Sequence, residues 1–553
     1  MESSFDYIIA GGGTAGVVIA SRLKEYLPNS SIALLEAGPN AVDDPAIDNV
    51  SDPLNWMPLF QKGFLIDYST TPQEHLGGRN IMNAAGRLLS AASGVNIGLW
   101  MRASAADLDV IAERAGNARF TYSSMEKYYK RIETHFNATA DKEHYGFEGK
   151  IHTVGGRKYP IRNLLQESAE NLGHKYNSTR GDPTGLGDIT KCWRATSEST
   201  ATRQHSAKVY DLSGVEVFCD TFAARVLLND SKRAIGVELT SGKRIMANKE
   251  VILSCRTQVS PKILMLSGIG PADELAKHNI PQTVDSPAVG QNPCDHNAMT
   301  MYFKLKDASK GYARPFNGYA EPAYGQGLPF YFCLFANIPD TELSPHLKND
   351  GIRIDEPQEE DLLLRPNRCH YLNLAVYYPF LVDPAISPTV KEVGAHISLC
   401  ALPMLPLSRG SVTLNPADPN DKPVCNPRFL STNTDRFILR RAVRGNLRLV
   451  ETGPLAAEIE GEIPPAGAQF PALTTKSSDE EIDARITQFA STIYHPVGTY
   501  TLGTVLDDAF RVKGVGGLRV CDASVLPEPI AAMPSCTIYA LAEMCADLVA
   551  RKA

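Results

Sequence analysis

An α/β fold that opens on a parallel strand–helix–strand unit is predicted by three observations. An apolar strand from Tyr7 to Ala10 runs into a glycine-rich turn. A helical stretch follows with apolar residues at Val17, Ala20, Leu23 and Leu27. A second apolar strand, Ile32 to Leu35, ends at Glu36. Each element has its reason. The turn reads GxGxxG at Gly11, Gly13 and Gly16: the first glycine permits the tight turn, the second lets a pyrophosphate approach the backbone, and the third lets helix pack on strand. The amides that open the helix then face the phosphates. Glu36 ends the second strand twenty residues after Gly16, where a carboxylate can accept hydrogen bonds from ribose hydroxyls. The order is that of a Rossmann-like dinucleotide site, and it does not by itself separate FAD from NAD.

At 553 residues the chain exceeds one hydrophobic core and predicts two or more lobes. With 43% hydrophobic and 21% charged residues it has the composition of a globular protein. The formal net charge of −7 gives no basic face for nucleic acid or an anionic membrane. The N-terminal MESSFDYIIAGGG lacks a basic region followed by a long apolar run, and no stretch is long and apolar enough to span a bilayer. The eleven cysteines form no paired framework and read as reduced thiols of an intracellular, cytoplasmic protein. No histidine or cysteine cluster has metal-ligand spacing, and no GxSxG elbow marks a hydrolase.

Four later stretches, in order, resemble the signatures of the glucose-methanol-choline (GMC) oxidoreductases: GRLLSAASGVNIGLWMRA (86–103), VILSCRTQVSPKILMLSGIGP (251–271), VGQNPCDH (289–296) and YHPVGTYTLG with RVKGVGGLRVCDASVLP (494–527). The resemblance implies FAD as cofactor and a discontinuous FAD-binding domain assembled from residues 1–155, 205–300 and 478–553. Residues 156–204 and 301–477 would form a substrate domain built on an antiparallel sheet flanked by helices. The intervening sequence suits this, with strand-like runs CHYLNLAVYY and HISLCAL. The aromatic run GYARPFNGYAEPAYGQGLPFYF (311–332) can line a pocket or lid, or serve as a structural loop. Residue by residue, the resemblance places Gly11, Gly13, Thr14, Ala15 and Gly16 against the FAD pyrophosphate and Glu36 and Ala37 by the adenosine ribose. It places Ala223 by the adenine, Asn96 near the flavin, and Asp522, Ala523, Pro534 and Ser535 where the last strand and helix meet the cofactor. SAASGVN has no histidine where some relatives attach FAD covalently, so non-covalent binding is expected.

In the family a base removes a hydroxyl proton while hydride passes to the flavin, and His495 aligns with that base; a neutral imidazole suits the step. His296 is expected to be architectural. The departures from the family fall beside the cofactor and substrate. Ser90 and Ala91 replace paired glycines, and Arg256 stands where glycine is usual, able to clash with FAD or to pair with its phosphates. Tyr500 stands where cysteine is common. Met533 falls on the second catalytic position, normally histidine or asparagine. A thioether donates no hydrogen bond, and losing such a donor costs ~2–4 kcal/mol of transition-state stabilisation. Tyr494, Tyr500 or Ser535 could supply it, or the substrate could be activated enough to need one base only. The expected function is oxidation of a small, hydrophobic or aromatic hydroxylated metabolite. The alternatives are a non-redox cyclase or lyase on the same FAD scaffold, and a catalytically degraded flavin-binding protein.

Overall fold

The computed structural model describes residues 3–48, 56–155, 159–177, 181–318, 321–327, 329–354, 362–380, 390–465 and 470–551. Two seven-stranded sheets organise it. The first runs in the order Glu216–Phe218, Ile32–Leu35, Ser3–Ala10, Arg244–Leu253, Ala234–Leu239 and Ala223–Leu228, with Leu518–Val520 also pairing Arg244–Leu253. The pairs joining its first four strands, and the pair made by Leu518–Val520, are parallel; the remaining pairs are antiparallel. Ile8, Ile9, Ile32 to Leu35 and Val251 to Leu253 are buried, as the continuous apolar runs of a sheet covered on both faces require.

Register sets the site. Phe218 pairs with Leu35, Leu35 and Leu253 with Ala10, and Leu253 with Val520, so five parallel strands end level. The turns that follow share one rim, which is where α/β sheets bind ligands. The helix Thr14–Tyr26 packs on the last helix, Ser535–Ala550, and tethers it through a buried Arg22–Glu543 ion pair of 2.9 Å. Tyr210 donates to the same carboxylate at 2.8 Å.

The second sheet is antiparallel, in the order Ile459–Glu462, Asn297–Leu305, His396–Pro403, Tyr371–Val376, Phe330–Ala336 and Gly185–Asp188, with Ser491–Thr492 also on Asn297–Leu305. The helix Asn433–Val450, capped by the Thr432 hydroxyl accepting from the Asp435 amide, buries Ile438, Leu439, Ala442 and Val443 against it. Successive strand residues face opposite ways. Met301 therefore meets Asn446 of this helix at 3.9 Å, while its neighbour Thr300 turns away from it. In the aromatic run, Phe316 and Tyr324 stack on Tyr159 at 5.5 and 4.3 Å; Tyr319, Ala320 and Leu328 lie outside the described residues. All eleven cysteines are free thiols. Among the described residues no helix is long and apolar enough to cross a membrane.

Candidate active site

Between the rim of the first sheet and the exposed face of the second lies a cavity with about 1760 Å³ free of protein atoms, its mouth included. Gly13, Thr14, Ala15, Ser254, Arg256, Asp522 and Ala523 form one wall; Ala298, Thr300, Leu374, Phe380, Cys400 and Leu402 form the opposite one. Asn96, Tyr494, His495, Met533, Pro534 and Ser535 also line it.

The first wall is an anion cradle. The helix Thr14–Tyr26 has Gly13 as its N-cap with no side-chain cap and no acid in its first turn. The amides of Thr14, Ala15 and Gly16 find no acceptor among the described residues, so they are free for phosphate oxygens. Gly11 holds φ +103°, and a Cβ there would come within 2.3 Å of the Ser254 carbonyl oxygen. At Gly16 a Cβ would lie 1.9 Å from the Gly11 carbonyl oxygen. Gly11 and Gly16 thus close the packing around the turn, and Gly13 presents the open surface.

Glu36, Ala37 and Ala223 do not line the cavity. The Glu36 carboxylate is buried behind the turn, where it accepts from the amides of Gly12 at 2.9 Å and Gly38 at 2.8 Å. Burial raises its pKa, opposed first by the charge of Arg256 and then by those amides. Two of its roughly four acceptor sites are used. The Ala37 carbonyl accepts from Arg87 at 3.3 Å, and Ala223 begins an edge strand. Asp522 both caps and lines: Oδ1 accepts from Ser524, while Oδ2 accepts the Arg256 amide at 2.8 Å. Asn96 Oδ1 is held by the Gly98 amide at 3.0 Å and by Arg203 at 3.2 Å.

All three residues standing where the resemblance expects glycine keep a left-handed backbone: φ is +90° at Ser90, +39° at Ala91 and +75° at Arg256. Ser90 points away from the cavity; its hydroxyl lies 2.8 Å from His205 Nδ1 and accepts the Ala207 amide at 2.8 Å. Ala91 lines the cavity.

His495 is fixed by a relay that crosses between the two halves. Its amide donates to Asp295 Oδ1 at 2.8 Å, and Asp295 Oδ2 accepts from Thr492 at 2.6 Å. Its Nδ1 lies 3.1 Å from Nδ1 of His296, whose Nε2 lies 2.9 Å from the Met404 carbonyl oxygen. A carbonyl only accepts, so His296 Nε2 carries hydrogen. Burial pushes the His296 pKa down to about 4; the ring is neutral, and its Nδ1 is an acceptor. His495 Nδ1 therefore donates, leaving the lone pair on Nε2. That atom has no hydrogen-bond partner among the described residues, and burial holds the ring well below pKa 6.5. His296, expected to be architectural, contacts the predicted base across 199 residues of sequence. The DH of VGQNPCDH was its visible signal.

Met533 is buried and lines the cavity with His495. Of the residues considered as replacement donors, Tyr494 and Ser535 line the cavity. Tyr500 does not, and its buried hydroxyl has no partner among the described residues.

Family models described as GMC oxidoreductase match residues 5–298 and 406–542. The chain belongs to the GMC oxidoreductase family. Like other GMC oxidoreductases it is an FAD-dependent oxidoreductase, and the unfilled amides at the cradle fit the pyrophosphate of that cofactor. It is 37% identical to the GMC-type oxidoreductase acuG of Aspergillus aculeatus, with 99% of each chain covered. It is 30% identical to choline oxidase of Arthrobacter globiformis, covering 99% of this chain and 94% of the relative. A formate oxidase variant of Aspergillus oryzae, solved for its effect on FAD modification, superposes with a TM-score of 0.85 at 26% identity, covering 100% of this chain and 99% of that one.

Proposed function

We propose that this GMC oxidoreductase oxidises a small, hydrophobic or aromatic hydroxylated molecule, with His495 as the base and FAD held non-covalently. The observation that carries the reading is the Met404–His296–His495 relay, which leaves a neutral Nε2 lone pair on the cavity. A substrate hydroxyl within reach of Nε2 loses its proton there, and the Nδ1–H bond to His296 holds the ring while the charge forms. FAD supplies the two-electron acceptor. Leu65, Leu99, Leu374, Phe380, Leu402 and Ile493 surround the reacting region with apolar surface, which favours an apolar substrate and excludes water. The relatives that oxidise choline and formate support oxidation at a carbon bearing oxygen, and neither name fixes the substrate here. Met533 favours a benzylic, allylic or phenolic hydroxyl, whose proton and hydride leave more readily without a second donor. We further propose that residues 1–155, 205–300 and 478–553 act as the FAD-binding unit and 156–204 with 301–477 as the substrate unit. Five strands of the first sheet lie in the former set, besides Ser3–Ala10 and Ile32–Leu35.

Anaerobic addition of candidate alcohols to purified protein tests the assignment through the flavin absorption band. A substrate should bleach it. H495A should keep the band and bleach at least about a hundredfold more slowly, since general-base removal costs roughly 10²–10⁴. Bleaching of H495A at the wild-type rate sinks His495 as base. Failure of every aryl, allylic and aliphatic alcohol to bleach the wild type favours a non-redox reaction on the same scaffold.

A further inference from the structure

Arg256 contributes a cation to the wall of the cofactor cavity, and it is the only lysine or arginine among the described residues that line it. Its backbone is fixed at both sides: its own amide donates to Asp522 at 2.8 Å, and the next residue, Thr257, donates its hydroxyl to the Pro496 carbonyl at 2.7 Å. The φ of +75° there is one that glycine adopts without strain and an L side chain does not. The guanidinium makes no hydrogen bond or ion pair among the described residues. The segment that carries it packs on the glycine turn: Cys255 Sγ donates to the Ala10 carbonyl at 3.0 Å, and a Cβ on Gly11 would lie 2.9 Å from the Cys255 amide nitrogen. The free cation therefore shares its wall of the cavity with the open amides of Thr14 and Ala15.

We propose that the Arg256 guanidinium binds the pyrophosphate of FAD, adding a charged, forked contact to a cradle otherwise made of backbone amides. The proposal rests on FAD being the cofactor. A diphosphate brings two negative charges into a cavity whose one lining carboxylate, Asp522, is already engaged by four donors. An arginine fork matches phosphate oxygens in geometry as well as charge. Two other roles are possible for a lone cation in this place: salt partner of a substrate carboxylate, or plug in the channel. The apolar residues that line the cavity with His495 speak against the first, and the kinetics of FAD release address the second.

Holoenzyme of wild type, R256Q, R256K and R256G is diluted into low and high ionic strength, and FAD release is followed by recovery of its fluorescence. R256Q should release FAD at least about tenfold faster than wild type, with R256K between them. Salt should accelerate release from wild type more than from R256Q, because only the former loses a charge pair. R256G has the backbone suited to the position, so release faster than wild type in R256G shows that lost charge outweighs relieved strain; it also carries the comparison if R256Q does not fold. Release from R256Q and R256G that is unchanged or slower, with the same salt dependence as wild type, overturns the proposal and makes the side chain a plug. A wild-type protein purified without flavin overturns the cofactor reading, and this proposal with it.

Discussion

At the scale of single residues the site is defined by what it holds still and by what it lacks. Met533 presents a thioether to the cavity that His495 lines, so in the proposed reaction it would give an alkoxide forming on the substrate no hydrogen bond. Replacing it with an amide of similar reach supplies a donor. M533N should therefore raise kcat/KM toward simple aliphatic alcohols by about tenfold or more, with little gain for benzylic substrates that need it less. Equal rates for both substrate classes in wild type and variant would show that methionine does not set this preference. His296 makes the opposite case, a residue acting through another. H296A removes the acceptor that fixes the His495 tautomer; it should lower kcat about 10–100-fold with KM and the flavin band nearly intact. H296N can offer an oxygen toward His495 and an amide toward Met404, and should recover part of the loss. No recovery would point to simple loss of packing. Ser90 shows how a strained backbone is tolerated: its left-handed φ is accompanied by two polar contacts that turn the hydroxyl away from the cofactor.

Elements separate what local chemistry can announce from what only folding assembles. The strand Ile32–Leu35 and the glycine turn were legible because apolar run, turn and helix follow one another without a gap. The first strand extends to Ser3 because Phe5 and its neighbours find partners at Ile245 to Ala247, far away in sequence. The strand inside HISLCAL was equally visible, yet nothing in it shows that Cys400 pairs with Thr300 and lies across from Leu374. That row of the cavity wall depends on register between strands about a hundred residues apart. Thr14, Ala15, Asn96, Asp522, Ala523, Pro534 and Ser535 came from motifs and line the cavity, because motif residues sit at strand ends that the sheet brings level. Glu36, Ala37 and Ala223 lie off it: the Glu36 carboxylate is turned back onto Gly12 and Gly38. The His296–His495 contact was illegible for the same reason as the Thr300 row. Both histidines flank paired strands of the second sheet, Asn297–Leu305 and Ser491–Thr492, so they meet only once those strands are in register.

Across the whole molecule, building such a relay into a dry interior ties stability to pH. His205 and His296 are both buried and neutral, each pushed down to about 4 by burial. The unfolded chain takes up these protons below about pH 6.5, whereas the folded one does so only near 4. Their folded pKa values are depressed, so stability is lost as pH falls through that window, by about 3 kcal/mol for each ring. Asp295 has the other sign. Burial pushes it up to about 7, so the folded state gains its proton first, and stability rises by about 4 kcal/mol as pH falls from 7 to 3.8. Between these three groups the histidines prevail by roughly 2 kcal/mol near pH 4; His495 shifts in their direction, whereas the buried carboxyls Glu36, Asp435, Glu462 and Asp522 are raised by burial and act with Asp295. Each neutral ring by itself makes the thermal midpoint of the holoenzyme, followed by tryptophan fluorescence, slope downward from pH 7 to 4.5. H205Q, which can keep contacts to Ser90 and Val42 without a titrating ring, should flatten that slope even if its midpoint at pH 7 is lower. A slope that H205Q leaves unchanged would mean that the His205 ring is not held neutral in the folded protein.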